Sequence, residues 1–151
     1  MKKILFVCLG NICRSPMAEF IFKDMVKQAG LEKEYYIESA ATSDEEYGND
    51  VYPAAKQKLY EEGIPFTKRR ARQMTKADYE KFDLICAMDL SNLRNIGYIT
   101  GGDPEGKVSL LLDFAGEHRA ISDPWYTRNF DDTFNDITRG CEALLKKLEN
   151  M

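Results

Sequence analysis

The sequence predicts an α/β fold, a four-stranded parallel sheet with helices on both faces. Two observations carry this. Short apolar, β-favouring runs alternate along the chain with stretches of helical periodicity, the pattern of a parallel sheet wrapped by its crossover helices. The first apolar run passes through a Gly-containing loop directly into a helix, as a strand–loop–helix unit does. At 151 residues the chain has the length of one domain, taken as 1–151, with enough residues to bury a core.

The elements follow in order. Lys3 to Val7 is the first strand. After it, Ala18, Ile21, Phe22, Met25 and Ala29 fall on one helical stripe, with Ser15 as the expected N-cap, Pro16 in the first turn and Gly30 as the stop. Tyr35 to Ala40 reads as the second strand, and the loop from Thr42 to Tyr52 leads into a helix from Pro53 to Glu62 closed by Gly63. Phe82 to Ala87 is a third, buried strand, Ser91 is the expected cap of the next helix, and Val108 to Leu112 supplies a fourth strand. Gly101 to Gly106 is dense in turn formers. The last helix is expected to begin near Asp131-Asp132, whose charges suit a helix start, and to bury Phe134, Ile137, Cys141, Leu144, Leu145 and Leu148.

Composition narrows the functional classes. Apolar residues make up 44% and charged residues 30%, ordinary for a globular protein, and no segment approaches the roughly 20 apolar residues that cross a bilayer. Met1 to Leu9 begins like a short signal peptide, but Gly10-Asn11 and Cys13-Arg14 interrupt it and no small-residue cleavage site follows. A cytoplasmic location without membrane association is therefore expected. The net charge of −4 offers no general attraction for nucleic acid. Four cysteines in a chain that folds without disulfides fit a reducing compartment.

The chemistry concentrates in Cys8-Leu9-Gly10-Asn11-Ile12-Cys13-Arg14-Ser15. A thiol stands at the end of a strand and an arginine at the entrance of a helix, five residues later. A tight loop opening a helix aims backbone N–H groups and the positive end of the helix dipole at an anion, so this is expected to be a phosphate-binding loop after the first strand. Gly10 is expected to permit its curvature. Arg14 adds a permanently charged, bidentate fork. The same field favours a thiolate at Cys8, with the Ser15 hydroxyl as a further donor to sulfur. Nucleophile, cradle and electrostatic clamp thus lie within eight positions.

Val7 to Glu19 resembles the signature of the low-molecular-weight protein-tyrosine phosphatases. The likeness extends to Ser39-Ala40, Ala71-Arg72-Gln73, Met88-Asp89, Ser91-Asn92 and Asp123-Pro124-Trp125-Tyr126, and so covers nearly the whole chain. The resemblance implies hydrolysis of phosphotyrosine in proteins or peptides, with inorganic phosphate as product, by a protein that is a monomer. It implies Asp123 as general acid and then base, Asn11 as the residue that holds the loop in shape, and a reversible disulfide between Cys8 and Cys13 that guards the nucleophile from over-oxidation. It also places the pocket walls at Ile12, Trp125 and Tyr126. Where relatives carry an aromatic residue after the second strand, this chain has Glu45, with Tyr47 nearby as the alternative stacking group. Where some relatives carry histidine, it has Arg69, read as part of a solvated basic face.

Three alternatives remain at this point. A protein-arginine phosphatase tends to carry threonine where Ile12 stands. A thiol-dependent arsenate reductase needs a reactive cysteine pair, and Cys86 has no partner between Ala87 and Gly97. A phosphate-binding module without turnover would lack Cys8 or Asp123. The one histidine, His118, cannot satisfy most two-metal phosphatase sites, so no metal and no organic cofactor are expected. Cys86 and Cys141 are expected to be inert core thiols.

Overall fold

The structure is a computed structural model that describes residues 1–150. Its four strands, β1 (Lys2–Cys8), β2 (Tyr35–Ala41), β3 (Leu84–Ala87) and β4 (Val108–Leu110), form one sheet in the order β2-β1-β3-β4. Every neighbouring pair is parallel, with Cys8 in register with Ala41 and Val7 with Ala87. Central β1 is buried on both sides, which is why Ile4 to Val7 is a continuous apolar run and not an alternating one. Because β2 and β3 flank β1, the connections on leaving the sheet diverge to opposite sides. A crevice opens at the carboxyl ends of β1 and β3, the usual ligand position in such sheets.

Successive residues of β1 feed two separate cores. Ile4, Phe6 and Cys8 face α1 (Arg14–Gln28), α2 (Pro53–Glu61) and α6 (Phe130–Glu149). Leu5 and Val7 face Met74, Tyr79 and Phe82 around α3 (Lys76–Lys81), together with Ile96 of α4 (Leu90–Thr100). A short α5 (Pro124–Thr127) completes the set. On α6, Phe134, Ile137, Cys141 and Leu144 are buried as expected, whereas Leu145 and Leu148 are half-buried and pack against the edge of that core. Gly140 on that helix meets Leu111 so closely that an added Cβ would lie 2.6 Å from Leu111 Cγ. No helix among the described residues is long and apolar enough to cross a membrane.

Several expectations need correction. On α1 the buried stripe turns to Val26, leaving Met25 half-buried and Ala29 exposed, because Ala29 is already the C-cap; Gly30 ends the helix at φ 74°. The third strand starts at Leu84; buried Phe82 instead ends α3, which begins where the Thr75 N–H donates to the Asp78 carboxylate at 2.8 Å. The fourth strand stops at Leu110, and Leu111–Ala115 is a 3-10 turn entered where Asp113 accepts from the Leu110 N–H at 2.9 Å. Ser91 lies inside α4. Its cap is Asp89, which accepts from the Asn92 N–H at 2.7 Å while Asn92 Oδ1 accepts from the Asp89 N–H at 3.1 Å.

Candidate active site

The loop between β1 and α1 sits at the mouth of the crevice. Its carbonyls turn outward: Cys8, Leu9 and Ile12 accept from the N–H groups of Thr42, Ser43 and Tyr52 at 2.9, 3.1 and 2.8 Å. Among the described residues the N–H groups of Leu9, Gly10, Ile12 and Cys13 have no protein acceptor, so the loop offers a row of free donors to an anion. Asn11 makes the turn, at φ 58°, a left-handed conformation that asparagine tolerates better than most residues. Gly10 is not in that region of backbone space. Its missing side chain serves a close approach, since a Cβ there would stand 3.3 Å from Glu46 Cγ.

Asn11 is fully buried and braces the loop with all of its amide. Its Nδ2 donates to Ser15 Oγ at 2.8 Å and Ser39 Oγ at 2.9 Å, and its Oδ1 accepts from the Arg72 N–H at 3.3 Å. Ser15 is not a helix cap: α1 starts at Arg14, and the Ser15 hydroxyl lies 3.0 Å from Cys8 Sγ. Since that hydroxyl already accepts from Asn11, its own proton goes to the sulfur at 3.0 Å or to the more distant Ala40 carbonyl at 3.4 Å, and the sulfur also accepts from the Asn11 N–H at 3.3 Å. Behind this, Ser39 donates to Glu19 at 2.6 Å and Arg69 reaches Ser39 Oγ at 3.5 Å. Arg69 is therefore no part of a solvated face. Burial pushes its guanidinium below the ordinary value, against the pull of Glu19 and Cys8.

Arg14 is 3% exposed and held from three sides. Its Nη1 donates to Asp89 at 2.7 Å and to the Ile121 carbonyl at 3.0 Å, and its Nη2 faces Asp123 at 3.4 Å. Burial opposes its charge, but Cys8, Asp123 and Asp89 outweigh that and hold its pKa above the ordinary value. Asp123 caps α5, its Oδ1 accepting from the Trp125 N–H at 3.0 Å while Oδ2 faces Arg14. Asp123 and Trp125 thus belong to one capped turn.

These groups enclose a cavity of about 210 Å³. Cys8 to Gly10 and Ile12 to Arg14 line it, with Asp123, Trp125 and Tyr126 from the α5 turn and Glu45 and Glu46 from the loop after β2. All of the expected site residues meet here or brace it, with one exception. Tyr47 lies outside the cavity and is 73% exposed, because the Asp44–Tyr47 turn presents Glu46 to the site instead. Sequence reasoning missed Glu46, the Ser39–Glu19 brace, and Asp89 as the anchor of Arg14. For Asp89 a signal existed in the Asp-x-x-Asn capping box just past a strand; for Glu46 there was none.

The remaining thiols are set apart by their surroundings. All four cysteines are free. Burial first, and then the neighbouring Cys8, pushes the Cys13 thiol up to about 12. Cys86, fully buried, is also pushed up to about 12, and Cys141 lies well above the ordinary thiol value. His118 is exposed and pairs with Asp113 at 2.6 Å. No three His, Cys, Asp or Glu side chains among the described residues converge to hold a metal ion.

A cysteine on the floor of a donor-lined loop, an anchored arginine and a carboxylate at the rim are the parts of a thiol-dependent phosphoryl-transfer site on a parallel α/β sheet. Residues 3–151 match the family described as low molecular weight phosphotyrosine protein phosphatase. The chain is 38% identical over 151 residues to the low molecular weight protein-tyrosine-phosphatase YfkJ of Bacillus subtilis (strain 168), covering 99% of this chain and 97% of that one. It is 39% identical over 151 residues to the low molecular weight phosphotyrosine protein phosphatase of Schizosaccharomyces pombe, covering 97% and 96%. The crystal structure of YfkJ superposes with a TM-score of 0.95 over 99% of this chain and 96% of that one, at 38% identity. That of drosophila arginine phosphatase superposes with a TM-score of 0.89 over 98% of each chain, at 31% identity. The chain belongs to the low molecular weight phosphotyrosine protein phosphatase family.

Proposed function

We propose that this protein hydrolyses phosphotyrosine in proteins or peptides, and small aryl phosphates, through a phosphocysteine on Cys8. The observation that carries the reading is the convergence of Cys8, Arg14 and Asp123 on one cavity, with Arg14 and Asp123 3.4 Å apart. The Cys8 thiolate attacks phosphorus, the bond from phosphorus to the aryl oxygen breaks, and Asp123 gives its proton to the departing phenolate. The loop N–H groups and Arg14 hold the equatorial oxygens as charge spreads over them. Asp123, now a carboxylate, takes a proton from water as that water attacks phosphorus. The sulfur–phosphorus bond breaks, inorganic phosphate leaves, and the thiolate is restored with Ser15 as its donor.

Ile12, Trp125 and Tyr126 support an aryl substrate, since they line the cavity with apolar surface above the loop. The likeness to drosophila arginine phosphatase keeps phosphoarginine as the second reading. The proposal takes the chain as one domain that acts as a monomer on cytoplasmic phosphoproteins, with no nucleic acid or membrane partner and no cofactor.

The test is turnover of a phosphotyrosine peptide, a phosphoarginine peptide, p-nitrophenyl phosphate and arsenate by the parent and by Cys8→Ser. Phosphotyrosine and p-nitrophenyl phosphate are expected to be hydrolysed by the parent alone. Activity surviving in Cys8→Ser overturns the mechanism, and faster turnover of phosphoarginine than of phosphotyrosine overturns the substrate.

A further inference from the structure

Beside the cavity that holds Cys8 lies a second one, of about 220 Å³, which shares Ile12, Glu46 and Trp125 with it. Its remaining walls include Asn49, Asp50 and Tyr52. The two cavities are therefore neighbours across a few side chains, so a group held in the first brings its chain neighbours to the second.

The second cavity has the chemistry of a cation site. Glu46 accepts from Asn49 Nδ2 at 2.6 Å but has no cationic partner among the described residues, and neither has Glu45. Tyr52 and Trp125 meet edge to face, their centroids 5.0 Å apart, and supply ring surface on which a cation or its aliphatic stem can lie. Of the nearby cations, Arg69 donates to the Asn49 carbonyl at 3.4 Å and to Ser39 Oγ at 3.5 Å without an ion pair among the described residues, and the others are occupied. Lys56 binds Asp50 at 2.6 Å, Arg14 is held at the floor of the first cavity, and Arg128 lies over the Trp125 ring and donates to Tyr52 Oη at 3.0 Å while lining neither cavity. Glu46 also packs beside the phosphate loop, so close to Gly10 that a Cβ there would stand 3.3 Å from its Cγ.

We propose that this second cavity is a specificity subsite for a lysine or arginine adjacent to the phosphotyrosine, with Glu46 as its acidic wall. The inference rests on the phosphotyrosine reading above. A cationic neighbour gains Glu46 and the two rings; an acidic neighbour meets an unpaired carboxylate in a confined space and is repelled.

The test uses phosphotyrosine peptides identical except for lysine, norleucine or glutamate next to the phosphotyrosine, on either side, with kcat/KM measured at low and high ionic strength. The lysine peptide is expected to exceed the glutamate peptide by about five- to tenfold at low salt, with norleucine between them, and the gap to narrow as salt rises. Glu46→Gln is expected to bring the ratio below about twofold and Glu46→Lys to invert it. Because each ratio is taken within one variant, a general loss of activity cancels. Equal kcat/KM for the three peptides in the parent, or a ratio unmoved by both substitutions, overturns the subsite. Hydrolysis of p-nitrophenyl phosphate with no hydrolysis of any phosphotyrosine peptide is a different failure: it removes the phosphotyrosine reading, and the subsite falls with it.

Discussion

Asp89 uses its two carboxylate oxygens on two different elements: Oδ2 accepts from Arg14 Nη1 at 2.7 Å and Oδ1 caps α4 through the Asn92 N–H at 2.7 Å. The arginine of the phosphate loop is thereby fastened to the start of a helix on the far side of the sheet's switch point. Asp89→Ala removes a cap worth about 1 kcal/mol and strips a buried guanidinium of its shortest ion pair, so urea unfolding should show a total loss of about 2–4 kcal/mol. The freed fork should also lower kcat/KM by about 100-fold. Asp89→Asn keeps one acceptor for the cap but turns its NH2 toward Arg14, so it is expected to recover only the cap's share of the stability, about 1 kcal/mol, and not the activity.

Asp123→Ala should slow hydrolysis of phosphotyrosine by about 100- to 1,000-fold. A substrate with a good leaving group, such as p-nitrophenyl phosphate, needs little protonation and should lose less. Equal losses for both would argue against a proton-transfer role and for a purely structural one, through the Arg14 contact.

At neutral pH iodoacetamide should label the native protein at Cys8 alone. Burial pushes the Cys13 and Cys86 thiols up to about 12 and Cys141 well above the ordinary thiol value, which leaves roughly one Cys13 in 10⁵ as thiolate at pH 7. Inorganic phosphate should slow the labelling, and urea should expose all four thiols. Peptide mapping checks it; Cys13 reacting as fast as Cys8 would contradict the expectation.

Burial resists the charge of Asp50, but Lys56 and the N–H groups of Arg69 and Val51 overcome it and bring its pKa down to about 2 from 3.8. A carboxylate depressed in this way stabilises the fold above pH 4 and loses that contribution as pH falls toward 2. Asp50→Asn should therefore flatten the acid limb of stability between those values, read as urea midpoints across the pH range, and leave the neutral limb with its shape.

Gly140→Ala should destabilise the protein although alanine favours a helix by about 1 kcal/mol. The new Cβ would stand 2.6 Å from Leu111 Cγ, and such overpacking costs about 1–3 kcal/mol. Leu111→Ala removes that Cγ, and in urea unfolding it is expected to cost less stability in the Gly140→Ala background than in the parent.

Long, periodic elements were legible in the sequence. The β1 run, the α6 stripe and the turn from Cys8 to Ser15 needed no tertiary information, because burial on both faces, helical spacing and loop chemistry each leave a local pattern. The short elements were not. α3 and α5 are too brief to show a period, and the caps were assigned to serines where aspartate and asparagine do the work, or where Ser15 is drawn away by the sulfur. In the site, Cys8, Arg14 and Asp123 were readable, whereas Glu46, Arg69 and the Ser39–Glu19 brace depend on which way a loop turns after β2. That direction is set by long-range bonds such as Ser43 to Leu9 and Tyr52 to Ile12, and no local signal encodes them.

The anchoring of Arg14 also bears on how the protein is made. Its partners Asp89 and the Ile121 carbonyl lie 75 and 107 residues downstream, so contacts of this range form late relative to the strand, loop and helix that precede them. During synthesis, which proceeds from the amino terminus, the growing chain carries its nucleophile long before it has either the clamp or the acid. The cluster around Cys8 is therefore complete only once the segment around Ile121 and Asp123 has been made and has docked on Arg14.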